Sequence, residues 1–308
     1  MPSTKPTRPA AHDTARRQGR IVSSHGRHYM VELDDGSLRQ CFPRGKRSDA
    51  AVGDHVVVSL QGEEGSIERI LPRKNLLYRS DELRTKQFAA NVDRLLIVVA
   101  PEPPFSDDLA GRALVGAWSA GIEPIIVLNK ADLPSVAEAR ERLTVLRELG
   151  VPVVETNATD AEATQRTLLP LLKGRCTLLL GQSAMGKSTI LNALVPDANA
   201  ATQEHSQALS AGRHTTTYTR LYHLPQGGEL IDSPGFQAFG LNHLERDDIL
   251  RGFPEFKAFI EHCRFYNCSH RHEPGCGVQQ ALEHGKITAE RHALYTRLIE
   301  ELEARTLY

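Results

Sequence analysis

The string with the most chemistry in it is Gly181-Gln182-Ser183-Ala184-Met185-Gly186-Lys187-Ser188. It has the form G-x-x-x-x-G-K-S. The apolar run over 176–180 leads into it and a helical pattern starts at Lys187, the strand–loop–helix setting this motif requires. Such a loop wraps so that backbone N–H groups point at phosphate oxygens, and the helix N-terminus adds its dipole. Lys187 is then placed to reach the β- and γ-phosphates. The Ser188 hydroxyl is placed to ligate Mg²⁺, with Thr189 next to it.

A phosphate cradle does not say which base it serves. Asn129-Lys130-Ala131-Asp132, at the end of the apolar run over 124–128, supplies that discrimination. A carboxylate at 132 accepts two hydrogen bonds, from N1–H and the 2-amino group of guanine. Adenine offers neither donor, so a site built this way rejects it strongly. Lys130 lays its stem along the base plane, and Asn129 fixes the loop.

Asp232-Ser233-Pro234-Gly235 ends a further strand pattern. Asp232 there serves the Mg²⁺ shell as a Walker-B aspartate does, and the Gly235 N–H senses the γ-phosphate. The segment Gly212-Arg213-His214-Thr215-Thr216-Thr217 lies between the two phosphate motifs. Thr216 is our candidate for completing the metal shell, although the sequence does not decide among the threonines. Phe236 stands where related hydrolases place a water-orienting Gln. His214 is the candidate substitute, and a partner that reshapes the site is the alternative.

The order is unusual. The base-reading motif precedes the phosphate loop, whereas ordinary small GTPases have it last. Moving the block that carries Asn129 behind the block that carries Asp232 restores the ordinary order. We read this as a circular permutation, which domains with adjacent termini tolerate. The chain then runs from Gly235 directly into the C-terminal region, so movement of that loop is expected to pull on it.

That region contains Cys263, Cys268, His270 and Cys276. Three thiolates and an imidazole within 14 residues can close a tetrahedral site for one structural Zn²⁺. His272 competes with His270 as fourth ligand, and we prefer His270.

These motifs need elements to hold them. Short β-branched runs over 19–73, separated by Asp-Gly and Gly-rich turns, predict a small closed barrel. From 93 onward strands alternate with helices: strands over 93–100, 124–128, 151–155, 176–180, 216–224 and 228–232, and helices over 107–120, 134–149, 160–173 and 187–195. This predicts a doubly wound α/β domain. The expected division is a mobile basic tail over 1–18, the barrel over 19–76, the permuted nucleotide domain over 77–238 and a helical zinc-binding region over 239–308.

Composition excludes several classes. The chain of 308 residues is 40% hydrophobic and 24% charged, which fits neither a disordered nor a fibrous protein. No run is long and apolar enough for a membrane span, and the first residues lack the apolar stretch of a secretion signal, so a cytoplasmic location is expected. Nothing in the sequence demands more than a monomer. The net charge of −1 hides an asymmetry. Residues 1–80 hold 14 Lys+Arg against 9 Asp+Glu. Arg44, Lys46 and Arg47, interleaved with Tyr29 and Phe42, suggest an RNA-facing barrel.

The whole arrangement resembles the RsgA family, also called YjeQ or YloQ. The resemblance rests on a barrel, N-K-x-D before G-x-x-x-x-G-K-S before D-S-P-G, and the Cys-x₄-Cys-x-His-x₅-Cys module. It extends to G-R-H-T-T-T over 212–217 and to Phe265, Cys268 and His270. It implies an OB-fold domain, a permuted GTPase domain and a zinc domain. It further implies GTP hydrolysis stimulated by the small (30S) ribosomal subunit, late action in that subunit's assembly, contact with its rRNA, and departure after hydrolysis to GDP. The alternatives are a nucleotide-gated switch whose hydrolysis is incidental, and a GTPase acting on a protein partner. Two departures from the family pattern stand out. Thr156-Asn157-Ala158 replaces a Ser pair or Ser-Ala after the strand over 151–155. Ala184-Met185 replaces Gly-Val, and the loop is expected to close because neither position needs positive φ.

Overall fold

The computed structural model describes residues 16–26, 28–45, 49–80, 85–196, 198, 218–233 and 240–306. The described residues begin with five strands: β1 (Arg16–His25), β2 (His28–Leu33), β3 (Leu38–Pro43), β4 (His55–Gln61) and β5 (Glu64–Ile70). They lie in the order β1-β2-β3-β5-β4, and β4 pairs again with β1, which closes the barrel. Alternate side chains point inward. Ile21, Val31, Cys41, Val56 and Val58 are fully buried there. The first strand begins at Arg16, not 19, because Arg16, Arg17 and Gln18 pair with Ser59, Val58 and Val57. Those three residues therefore belong to the barrel and not to the tail, whose residues 1–15 lie outside the described ones.

A hairpin of β6 (Leu76–Ser80) and β7 (Thr85–Ala90) follows, which the sequence pattern did not suggest. Its register shifts between Leu77 and Tyr78, and such a bulge breaks the period-2 alternation that reveals a strand.

The nucleotide domain is built on β8 (Arg94–Val99), β9 (Glu123–Leu128), β10 (Val153–Glu155), β11 (Cys176–Gly181), β12 (Arg220–His223) and β13 (Glu229–Asp232). The order is β10-β9-β8-β11-β13-β12, parallel except for β12. Buried parallel strands read as continuous apolar runs, and residues 95–99, 125–128 and 178–180 are all nearly inaccessible. The chain proceeds outward from β8 to β10, then returns to the other side of β8 at β11. Ligands bind outside the carboxyl ends of strands where the order reverses in this way. β12 pairs with β1 at Arg220 and Ser23, so the sheet continues into the barrel.

Among the described residues, helices α1 (Asp107–Ser119), α2 (Val136–Arg142), α3 (Thr144–Glu148), α4 (Ala161–Leu172) and α5 (Lys187–Leu194) accompany these strands. The Ser106 hydroxyl caps α1 by accepting the Leu109 N–H, with Asp107 and Asp108 in the first turn. The single helix expected over 134–149 is two. The Arg140 carbonyl accepts from the Thr144 hydroxyl and the Arg147 guanidinium, and such side-chain donors compete with the helical ladder.

The C-terminal region comprises α6 (Arg246–Arg251), a 3₁₀ turn at Pro254–Phe256, α7 (Lys257–Ile260), α8 (Gly277–Glu283) and α9 (Ala289–Thr306). Its core is aromatic. Tyr295 meets Phe253 and Phe256 edge-on, with ring centroids 5.2 and 5.1 Å away. Among the described residues no helix is long and apolar enough to cross a membrane.

Candidate functional site

The motifs converge on the carboxyl edge of the parallel sheet. Asn129 follows β9, the phosphate loop follows β11 and Asp232 ends β13. Gly186 starts α5 at φ +88°, and a Cβ there would stand 2.1 Å from Asn129 Nδ2. Only glycine meets both demands.

Asn129 is 2% exposed and ties three loops together. Its Nδ2 donates to the Met185 carbonyl at 2.9 Å, and its Oδ1 accepts the Ala158 N–H at 3.0 Å. The Ala131 N–H donates to the Thr156 carbonyl at 3.1 Å. Asp132 is therefore carried on a loop anchored to the phosphate cradle, and it is exposed to solvent. Lys130 is left-handed at φ +58°, and its Nζ donates to the Glu102 carbonyl at 2.6 Å. Glu102 in turn accepts from the Ser135 hydroxyl.

Lys187 is buried, and its ammonium donates to Asp232, which is 2% exposed. Ser183, Ala184, Ser188 and Thr189 are exposed around them. Gln182 accepts the Ser106 N–H at 2.7 Å. Ala184 corrects an expectation: it sits at φ +68°. The turn does need a left-handed residue at this point, and an L-side chain there costs about 1 kcal/mol. His214, Thr216 and Gly235 lie outside the described residues.

The second cluster is Cys263, Cys268, His270 and Cys276, whose ligand atoms all lie within 4.8 Å of one another. Cys263 Sγ is 3.5 Å from His270 Nδ1 and 3.9 Å from Cys276 Sγ, and Cys276 Sγ is 3.8 Å from His270 Nδ1. A tetrahedron with metal–sulfur bonds of about 2.3 Å has edges of about 3.8 Å, so the donor set fits a zinc ion. His270 is left-handed at φ +61° and buried, whereas His272 is exposed and outside the cluster. Burial holds His270 below its usual range, aided by the charge of Arg246, which keeps the imidazole neutral as a ligand must be. Burial also pushes the Cys268 thiol up to about 12. A bound cation reverses that preference by stabilising the thiolate. Sequence reasoning missed the residues that hold this loop. Tyr295 OH donates to the Ser269 carbonyl at 3.1 Å, His292 contacts the His270 carbonyl at 2.8 Å, and Glu273 accepts the Ser269 N–H at 2.6 Å.

On the barrel, Arg44 is largely exposed and paired with Glu68, and Phe42 is exposed nearby in sequence. Lys46 and Arg47 lie outside the described residues. A cavity of about 490 Å³ lies at the opposite edge of the sheet, lined by Arg20, His55, Asp93, Cys176 and Glu229 among others. Arg20 pairs with Glu229 there, and Asp93 accepts from Lys74 and from the Cys176 N–H. Its charges answer one another, so we read it as a domain junction.

An N-K-x-D loop fastened to a phosphate cradle encoded after it defines a circularly permuted P-loop nucleotide-binding protein. A family model described as RsgA GTPase matches residues 70–242. The "Small ribosomal subunit biogenesis GTPase RsgA" of Bordetella pertussis is 66% identical over 294 residues, 94% of this chain and 98% of that one. That of Paraburkholderia xenovorans is 54% identical over 310 residues, 98% of each. YjeQ from Thermotoga maritima has the same fold, with a TM-score of 0.71 and 32% identity over 94% of this chain and 99% of that one. YloQ, a circularly permuted GTPase, gives a TM-score of 0.69 and 27% identity over 96% and 98%. This chain belongs to the RsgA GTPase family.

Proposed function

We propose that this protein hydrolyses GTP to GDP and phosphate, binds the small ribosomal subunit and its rRNA, assists the subunit's late maturation and leaves after hydrolysis. It acts as a cytoplasmic monomer. The observation that carries the reading is the Asn129 side chain, which holds the guanine-reading loop and the phosphate loop in one cleft.

Ser188 and Asp232 fit Mg²⁺. They offer a hydroxyl in the first turn of α5 and a buried carboxylate already held against an ammonium. When bound, the ion neutralises charge on the β- and γ-phosphates. The chain's own part is placement. Asp132 reads the base, backbone N–H groups of 182–188 cradle the phosphates, and Lys187 reaches the γ-phosphoryl that water attacks. Phe236 cannot orient that water, which supports slow turnover by the protein alone. Phosphate release measured with and without purified small subunits tests this. A rise of about tenfold or more is expected, and equal rates would sink the ribosomal assignment.

Cys263, Cys268, His270 and Cys276 support one structural Zn²⁺, with no position left for catalysis. Chelation is expected to unfold α8 and α9, because structural zinc contributes about 10–16 kcal/mol to folding. Far-UV circular dichroism should fall while a fluorescent GDP analogue still binds, more weakly than to the zinc-loaded protein. Loss of both together would show that the two regions fold as one unit.

Arg44 and Phe42 on the barrel support the RNA-facing assignment, with Lys46 and Arg47 adjacent in sequence.

A further inference from the structure

One side chain of the phosphate loop faces away from nucleotide chemistry. Gln182 Oε1 accepts the N–H of Ser106, the residue that caps α1. The loop thereby holds the first turn of that helix. Farther along, α1 carries the C-terminal region. Arg112, whose side chain is 11% exposed, donates to Asp108 on its own helix at 2.7 Å and to both carboxylate oxygens of Glu301 on α9. Arg297 on α9 donates to the other Asp108 oxygen at 2.7 Å. Burial works against the charge of Asp108, but the two guanidinium groups outweigh it and hold the carboxyl below its usual range. A Cβ at Gly111 would meet Leu294 Cδ2 at 2.6 Å, so α1 and α9 approach as closely as glycine allows. The α1 helix is a strut with the phosphate loop at one end and the zinc-bearing region clamped along its side.

We propose that Gln182 is a positioning residue that links the phosphate cradle to the seating of the C-terminal region on α1, so that this seating sets nucleotide affinity. The inference rests on the guanine-nucleotide reading above. A packed helix moves as a unit, so a shift of α9 against Arg112 and Asp108 reaches Ser106. The carboxamide hydrogen bond carries it to the backbone that wraps the phosphates. Linkage makes the effect reciprocal: bound nucleotide changes the hold on the C-terminal region by the same factor.

A double-mutant cycle on the full chain tests this. Gln182→Met keeps the side-chain length and removes the acceptor, and Glu301→Gln removes the charge opposite Arg112. Affinity for a fluorescent GDP analogue is measured in all four proteins. Glu301→Gln is expected to weaken binding about three- to tenfold with Gln182 present and less than about twofold with Met there. Gln182→Glu, which retains an acceptor, should restore the dependence on Glu301. The same factor in both backgrounds, or no effect in either, overturns the inference. Where Glu301→Gln fails to give a cooperative melt, Arg297→Gln breaks the neighbouring pair and is read in the same way. Failure of the unmutated protein to bind GDP would count against the functional reading. Binding without coupling would count against this inference alone.

Discussion

GTP turnover by the Lys187→Ala protein is expected to fall by at least about two orders of magnitude. The ammonium lies at the first position of α5 and is buried against Asp232, so it is ordered before any phosphate arrives. A triphosphate entering the loop brings negative charge to the place this cation already occupies. Removing the cation takes away stabilisation that grows as charge gathers on the γ-phosphoryl oxygens, so kcat suffers as well as affinity. Lys187→Arg should not restore the rate, because a planar fork does not replace a compact point charge at such a site. Release of inorganic phosphate over time, with small subunits present, is the measurement. Turnover near that of the unmutated protein would remove Lys187 from the mechanism.

Asp132→Asn should exchange base preference with little change in fold. The residue is exposed at the tip of a loop whose shape is fixed by Asn129 and Thr156, not by residue 132 itself. An amide accepts only one of the two donors that guanine presents and directs its own donor at the other. GTP affinity should fall by about two to three orders of magnitude, while xanthosine triphosphate, with a carbonyl at C2, should gain. Competition of GTP, ATP and xanthosine triphosphate against a fluorescent GDP analogue reads this out. An unchanged ratio of GTP to ATP affinity would contradict base reading by this carboxylate.

Much of this site was legible because its chemistry resides in short strings. A phosphate loop needs glycines and a lysine at fixed offsets, and the strands around it are buried on both faces and so read as apolar runs. The permutation could be read for the same reason: each motif keeps its local form whatever its place in the chain. What escaped was set by tertiary contact. Alanine at 184 gives no sign that its backbone is left-handed. The sequence favours His270 over His272, but the backbone turn at 270 that places that imidazole among the thiols is not encoded in the spacing. Gln182 and Ser106 are 76 residues apart, and Arg112 and Glu301 are 189 apart, so no periodicity links them. The hairpin of β6 and β7 was hidden by its own bulge, and the first barrel strand was placed late because Arg16 and Arg17 do not look like core.

The pairing of β12 with β1 makes the barrel a cap on one end of an otherwise open rim. Deleting residues 1–70 would bare the backbone of Thr219 and Arg220, where β12 begins, along one flank of the remaining sheet. Bare flanks of that kind recruit strands from neighbouring molecules and drive self-association. The nucleotide domain is for this reason no detachable cassette: the start of its outermost strand is finished by a module whose outward face can serve a different purpose.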